Sequence, residues 1–417
     1  EGDEPTNTTK GRWPIVGSPL SVTLDTSKDV PPAPLALRPP LAQLPPSFSE
    51  ERMMTMVRAL AAPAAKGRGL GTPELDTAAD TIASVMKGVG LEPAGDAHSF
   101  FQRWQENGAP LRNVVGMLRG TKKEWESEAT VVSAHYDHLG EGHPGADDNA
   151  SGVAVLLDLA RAMVASGQPQ RTVIFAAFTG EESGLLGSKR FLATWPKDKT
   201  ITSNVNLDTV GRMSTGGLAV LGTGSADEWV HIVSGAGYVT GITVKAVPTD
   251  PGGSDQKTFA EAGIPAVQLF TGAHRDYHAA TDTADKVDGP GLVKVASVAK
   301  ELVAYLAERD KPLTARTGST VQIAPAPASG RRASLGAIPD YAYSGSGVRI
   351  AGAMPGSPAE AAGLEEGDVI VAMDGVKLRN LQEFSKALGA RAPGDKVKVR
   401  VMRDGSEKVF EATLGAR

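Results

Sequence analysis

Three apolar runs in this chain each stop at side chains that can hold a metal. Residues 130–134 lead into His135, residues 172–178 into Glu181 and Glu182, and residues 201–207 into Asp208. Each run is short, rich in β-branched or aromatic residues and bounded by polar residues or glycine, the pattern of a buried strand. In an open α/β sheet the crevice beyond the carboxyl ends of the strands collects ligands, so separate strands can deliver these side chains to one place. Between the first two runs lie His135-Tyr136-Asp137-His138 and Gly145-Ala146-Asp147-Asp148-Asn149. Imidazoles and carboxylates in this order suit a pair of divalent cations, one carboxylate bridging them and one position left for water.

Helical periodicity falls between the strands. Residues 149–166 place Val153, Leu156, Leu157, Ala160, Met163 and Val164 on one stripe, residues 183–195 repeat the pattern, and 226–236 and 291–309 predict two further helices. Residues 218–221, 242–247 and 266–270 read as strands. Strands alternating with helices imply a mostly parallel, mixed α/β sheet sandwiched between helices.

The segment from about residue 50 to 309 resembles the dizinc aminopeptidase family that includes secreted bacterial leucine aminopeptidases, glutamate carboxypeptidase-type enzymes and glutaminyl cyclases. The resemblance implies that His135 and Asp208 bind one zinc, that Glu182 and His278 bind the other, and that Asp147 bridges them. His278 stands in Asp276-Tyr277-His278-Ala279-Ala280-Thr281-Asp282, similar to the family's Tyr-His-x-x-x-Asp segment. It also implies a cis peptide between Asp147 and Asp148. Because neighbouring residues leaving a strand point in different directions, Glu181 is free to act as general base on the water between the ions. Asp137, two residues after His135, is placed to accept the other ring N–H of that histidine and fix its tautomer.

The family often has Ser-Asp-His-x-x-Phe where this chain has Ser254-Asp255-Gln256-Lys257-Thr258-Phe259, so any titrating role of that histidine is absent. Asp255 either orients a substrate amine or ligand, or caps a helix with Ser254. Met213, Phe259, Phe270 and Tyr277 are candidate pocket walls. His138, His143 and His274 are read as lining the rim of the site, and His98 and His231 as ordinary surface or packing residues. The activity implied is that of an aminopeptidase with two zinc ions, replaceable by cobalt or manganese. Three alternatives stay open: a carboxypeptidase, with Arg212 and Arg275 available for a carboxylate; a glutaminyl cyclase; and a non-catalytic scaffold.

At 417 residues the chain exceeds one ordinary core. Residues 310–332, rich in Pro, Ala, Thr and Ser, read as a linker. Residues 333–417 resemble a PDZ domain, through Gly356-Ser357-Pro358-Ala359-Glu360-Ala361-Ala362-Gly363-Leu364 and Gly367-Asp368-Val369-Ile370. A groove helix is expected at 380–388, and a hairpin of 396–403 with 407–414 turns at Asp404-Gly405. The resemblance implies capture of a peptide or protein tail on a sheet edge, with residues 334–337 as the carboxylate loop. Pro339 lacks the N–H an added strand would use, so tail binding stands beside a structural or substrate-positioning role.

Residues 1–49 read as an extended N-terminal segment, with proline-rich 31–46 and a short strand at 17–25 left from an upstream domain. The opening residues show neither a starting Met nor a signal-like apolar core, as expected of a processed or truncated chain. A net charge of −5 gives no electrostatic footprint for nucleic acid. No apolar run is long enough for a membrane span. With no cysteine, disulfides and thiolate ligands are excluded. The resemblance implies a bacterial periplasmic or secreted location.

Overall fold

The computed structural model describes residues 47–250, 253–316, 333–341, 343 and 345–416. The expected strand at 17–25, the segment at 31–46 and most of the 310–332 linker lie outside the described residues. Residues 313–316, placed in that linker by composition, pack on the preceding domain: Thr314 N donates to Glu228 Oε2 at 2.9 Å, and Ala315 bridges to Ala226.

Nine strands form the first sheet: β1 (Glu92–Pro93), β2 (Phe101–Glu106), β3 (Ala109–Leu118), β4 (Glu128–His135), β5 (Thr172–Phe178), β6 (Thr200–Leu207), β7 (Leu218–Leu221), β8 (Val244–Val247) and β9 (Ala266–Phe270). Their order is β1-β3-β5-β4-β6-β9-β7-β8, with β2 beside β3. The centre, β5-β4-β6-β9, is parallel, and the flanks β3-β5 and β9-β7 are antiparallel. The chain leaves β4 for β5 on one side and then crosses to β6 on the other. That reversal is a topological switch point, which opens a crevice at the carboxyl ends of β4 and β6.

Alternation along the strands feeds both faces. On β5, Val173, Phe175 and Ala177 join the larger core with α1 (Glu50–Leu60), α2 (Pro73–Val89), α3 (Gly152–Ser166), α6 (Trp229–Thr240) and α8 (Gly289–Glu308). Ile174, Ala176 and Phe178 face the opposite layer with Phe191 of α4 (Leu186–Ala193) and Phe259 of α7 (Gln256–Glu261). A short helix, α5 (Met213–Gly216), follows β6. Helix boundaries moved where caps decide them. α8 starts at Gly289 because Asp288 accepts from Gly291 N at 2.9 Å, and α4 starts late because Leu185 sits in the left-handed region at φ 62°.

The C-terminal domain has its own core, including Leu335, Ile350, Ile370, Phe384, Leu388 and Val399. Its sheet runs β11 (Ala337–Pro339), β12 (Val348–Ala353), β13 (Val369–Met373), β15 (Lys396–Arg403), β16 (Ser406–Thr413), with β14 (Val376–Lys377) on β13. A two-strand pair joins β10 (Ala333–Ser334) to β17 (Gly415–Ala416). Helices α9 (Pro358–Ala361) and α10 (Leu381–Gly389) complete it; the second starts one residue later than the expected 380–388 because Asn380 caps it. Among the described residues no helix is long and apolar enough to cross a membrane.

Candidate metal centre

The crevice beyond β4, β5, β6 and β9 gathers the side chains in two groups that meet at Asp148. His135 Nε2 lies 3.3 Å from Asp148 Oδ1 and 3.4 Å from Asp208 Oδ1. On the other side His278 Nε2 lies 3.1 Å from Asp148 Oδ2 and 3.3 Å from Glu182 Oε2. Both groups therefore meet at Asp148, whereas the resemblance implied Asp147. The cis peptide is likewise one bond later, between Asp148 and Asn149. Asp147 faces away from the crevice: its Oδ1 accepts from Gly211 N at 2.5 Å and its Oδ2 meets His274 Nε2 at 2.9 Å. Spacing alone could not choose between adjacent acids. The choice is made by the turn at 146–151, where Gly145 is left-handed at φ 61° and Asp282 Oδ2 accepts from both Asp147 N (2.9 Å) and Asp148 N (3.1 Å).

The spacings suit a cation. Four ligands at zinc distances around a tetrahedral centre stand roughly 3.3–3.5 Å apart. Asp148 Oδ2 is buried and has no hydrogen-bonded partner, although His278 Nε2 is 3.1 Å away. A shared ion satisfies such an oxygen where a hydrogen bond does not. Without one the cluster is held by its own charges. Burial opposes the charged form of His135, yet Asp208 and Glu181 raise its pKa well above the usual value. Burial acts the same way on His278, where Asp148 and Glu182 still lift it to about 10.

Glu181 stands beside this cluster. Desolvation raises its pKa well above the carboxylate range, and the charges of Glu182, Asp208 and Asp255 add to this against His135. Asp137 is buried, but the atom within hydrogen-bond reach of His135 Nδ1 is its backbone oxygen at 3.2 Å; the carboxylate lies at 3.7 Å. The carboxylate instead accepts from Glu181 N at 3.2 Å and Glu182 N at 3.4 Å. Asp137 is thus a positioning residue that aims the Glu181-Glu182 pair.

Several other expectations are corrected. Asp255 is fully buried, caps no helix and has no hydrogen-bond partner for either oxygen among the described residues. Burial pushes its pKa to about 7. Ser254 does not cap either, because its Oγ accepts from Asn206 Nδ2 at 2.8 Å. Gln256 occupies an amide network, donating to Asp250 and Gln268 at 3.0 Å each. Phe259 is core, packed 6.3 Å from the Phe178 and Phe191 rings, and Phe270 is core as well. Met213 packs against the larger core from the start of α5. Tyr277 alone of the four pocket candidates lies at the ligands, stacked on His278 at 3.9 Å. His138 is buried and not at the rim: its Nδ1 meets Glu182 Oε1 at 2.8 Å, which fixes the free oxygen of that ligand. The structure also offers His138, with Asp148 and Glu182, as a second cation group. His278 reaches the same two carboxylates at closer combined range. His98 and His231 are exposed, as expected.

Sequence reading missed Arg68. It is fully buried, and its guanidinium donates to the carbonyls of Tyr136 (2.8 Å), Pro144 (2.9 Å) and Gly145 (2.8 Å) and to that of Leu60. The Tyr136, Pro144 and Gly145 carbonyls lie on the segments that carry His135 and Asp148, and that of Leu60 ends α1. Arg68→Met leaves them unsatisfied in a dry interior, and each such group costs about 1–3 kcal/mol. The expected result is a loss of about 3 kcal/mol or more in denaturant unfolding; an unchanged midpoint would contradict this role.

An α/β fold of this topology, with imidazoles and carboxylates gathered at its switch point, is the fold of the zinc aminopeptidases. The zinc aminopeptidase BSAP of Bacillus subtilis superposes with a TM-score of 0.56 at 17% identity, covering 64% of this chain and 97% of that one. A Porphyromonas gingivalis glutaminyl cyclase gives 0.51 at 17%, covering 62% and 99%. Residues 113–303 match the model of peptidase family M28, and residues 329–414 match that of the PDZ domain. A probable lipoprotein aminopeptidase, LpqL, of Mycobacterium tuberculosis is 28% identical over 271 residues, 55% of this chain and 53% of that protein. A probable zinc metalloprotease of Pyrenophora teres is 38% identical over 110 residues, 24% of this chain and 23% of that protein. The chain thus spans about a quarter to a half of the length of these relatives.

Proposed function

We propose that the chain is a metal-dependent exopeptidase, an aminopeptidase with two zinc ions, releasing residues from the amino end of peptides. The observation that carries this reading is the meeting of two ligand groups at Asp148, with Glu181 beside them and outside the ligand set. His135 and Asp208 would hold one ion, Glu182 and His278 the other, and Asp148 both. Imidazole and carboxylate donors also accept cobalt or manganese. When bound, the ions supply Lewis acidity that activates water and polarises the scissile carbonyl.

The chain's own residues do the rest. The Glu181 carboxylate accepts the proton of the attacking water and passes it to the leaving amine nitrogen. Asp137 keeps Glu181 in place through its backbone N–H. Asp255, fully buried, acts on Glu181 through its charge and does not touch a substrate. Tyr277, flat against His278, orients that ring and forms one wall of the entry.

A carboxypeptidase would need a basic residue free to grip a carboxylate. Arg212 is already held by Asp282 (3.3 Å) and Asp276 (3.4 Å), and Arg275 stands 3.9 Å from Glu360. A cyclase reading is disfavoured by a donor set sufficient for two ions. On the PDZ domain, Met354 N donates to Gly336 O and Asp340 N to Arg349 O, each at 2.8 Å, so residues 336 and 340 face β12 and Pro339 faces the open edge of β11. That edge lacks its donor for a second strand, and Gly336 N is already taken by Ser334 Oγ at 3.2 Å. This favours a positioning role over tail capture. We place the protein in the periplasm or outside the cell, a location supported by the lipoprotein named among its relatives.

The test is hydrolysis of an aminoacyl-nitroanilide panel, run beside the same compounds with acetylated amines. Release from free amines only, lost with a chelator and restored by zinc, is expected. Equal release from blocked compounds would overturn the aminopeptidase reading.

A further inference from the structure

β6 leads into Asp208, and one residue later the chain leaves strand geometry. Successive residues of a strand point to opposite faces, so a straight continuation of β6 would carry the Thr209 side chain away from the Asp208 carboxylate. Thr209 instead adopts the left-handed region at φ 54°. Its hydroxyl turns back onto its own neighbour and donates to Asp208 Oδ1 at 3.0 Å. That oxygen is also the one 3.4 Å from His135 Nε2, on the side where an ion would sit.

Threonine is a costly residue for this turn. A β-branched side chain at positive φ is an outlier, whereas glycine or asparagine adopts the conformation with little penalty. Thr209 is buried at 2% exposure, so its bond to Asp208 is shielded from bulk water. Backbone strain of this kind persists only where the surroundings impose it, and it gathers at functional sites.

The surroundings impose it from two sides. Three consecutive backbone donors of the turn go to side chains of the segment that carries Asp148: Thr209 N to Asn149 Oδ1 (3.4 Å), Val210 N to Ser151 Oγ (3.1 Å) and Gly211 N to Asp147 Oδ1 (2.5 Å). Asn149 Nδ2 donates in return to Leu207 O at 2.9 Å. From the other side the Thr209 carbonyl accepts from Thr271 N and Thr271 Oγ1, each at 3.0 Å. The turn is thereby fixed between the Asp148 segment and the residue after β9, and the Thr209 hydroxyl is its point of contact with the Asp208 side chain.

We propose that the Thr209 hydroxyl positions Asp208 for metal. It sets the rotation of the carboxylate so that Oδ1 faces the ion that Asp208 would hold with His135, and the left-handed backbone at 209 brings the hydroxyl within reach. Thr209 is a positioning residue and touches neither substrate nor ion. Removing a hydrogen bond to a ligating carboxylate typically lowers metal affinity by about 10–100-fold. This rests on the two-zinc exopeptidase reading above.

The test titrates zinc into the metal-free full chain against a competing chelator and resolves the two equivalents. Thr209→Val keeps the shape and the β-branch but loses the donor; Thr209→Gly loses the donor and relieves the backbone. Each is expected to weaken one equivalent by about tenfold or more and to leave the other within about threefold of the parent. Thr209→Ser keeps the hydroxyl and is expected to hold both equivalents near the parent. Parent-like binding by Thr209→Val would overturn the proposal. So would equal weakening of both equivalents, or a loss in Thr209→Ser as large as in Thr209→Val, since either outcome points to the turn and not to the hydroxyl. If the parent takes up fewer than two equivalents, the two-zinc reading fails by itself. Crystal structures of the metal-free parent and Thr209→Val then decide the proposal: Asp208 Oδ1 swinging away from His135 would support it, and an unmoved carboxylate would refute it.

Discussion

Glu181→Gln is expected to lower kcat by about a hundred- to ten-thousand-fold, the range supplied by a positioned general base. Gln keeps the shape and the neighbouring contacts but cannot take a proton. Because Asp137 holds Glu181 through its backbone N–H, the substitution leaves the Glu182 ligand in place. Metal content should therefore stay at the parent level while turnover collapses. The check is steady-state kinetics beside elemental analysis of the same sample. Activity near the parent level would remove Glu181 from the proton path, and joint loss of metal would make it a ligand.

The second large effect separates two adjacent acids. Asp148→Asn is expected to abolish turnover and release at least one metal equivalent, since both groups of ligands meet at its two oxygens. Asp147→Asn is expected to be much milder. Its oxygens serve Gly211 N and His274, and an amide retains an acceptor for one of them. Metal affinity measured by chelator competition reads the difference. Should Asp147→Asn be the variant that loses metal, the bridging place belongs to Asp147 and the geometry above is wrong.

These two acids show where sequence reading stops. The strands and their terminal ligands were legible because a buried strand announces itself by composition, and residues 172–178, 218–221 and 266–270 coincide with β5, β7 and β9. Fold and ligand classes follow from that. Which of two neighbouring carboxylates turns inward depends on a loop whose course is fixed by Gly145 and by Asp282, more than a hundred residues away in sequence. Local pattern holds no record of it. Phe259 and Phe270 were misread for a related reason: an aromatic near a motif fits a pocket or a core equally well, and the packing layer decides. Arg68 carried no signal at all, because its partners are backbone carbonyls, which every residue has. By contrast α2 was readable and overlooked, with Thr72 at its N-cap, Pro73 opening it and Gly90 left-handed after it.

Metal per chain, counted by inductively coupled plasma mass spectrometry on zinc-equilibrated, dialysed protein, tests the central claim most directly. The account predicts two equivalents of zinc, with aminoacyl-nitroanilide hydrolysis falling as a chelator removes them and returning when zinc is restored. No bound metal, together with no turnover after zinc is supplied, would contradict it and leave a scaffold bearing a PDZ domain.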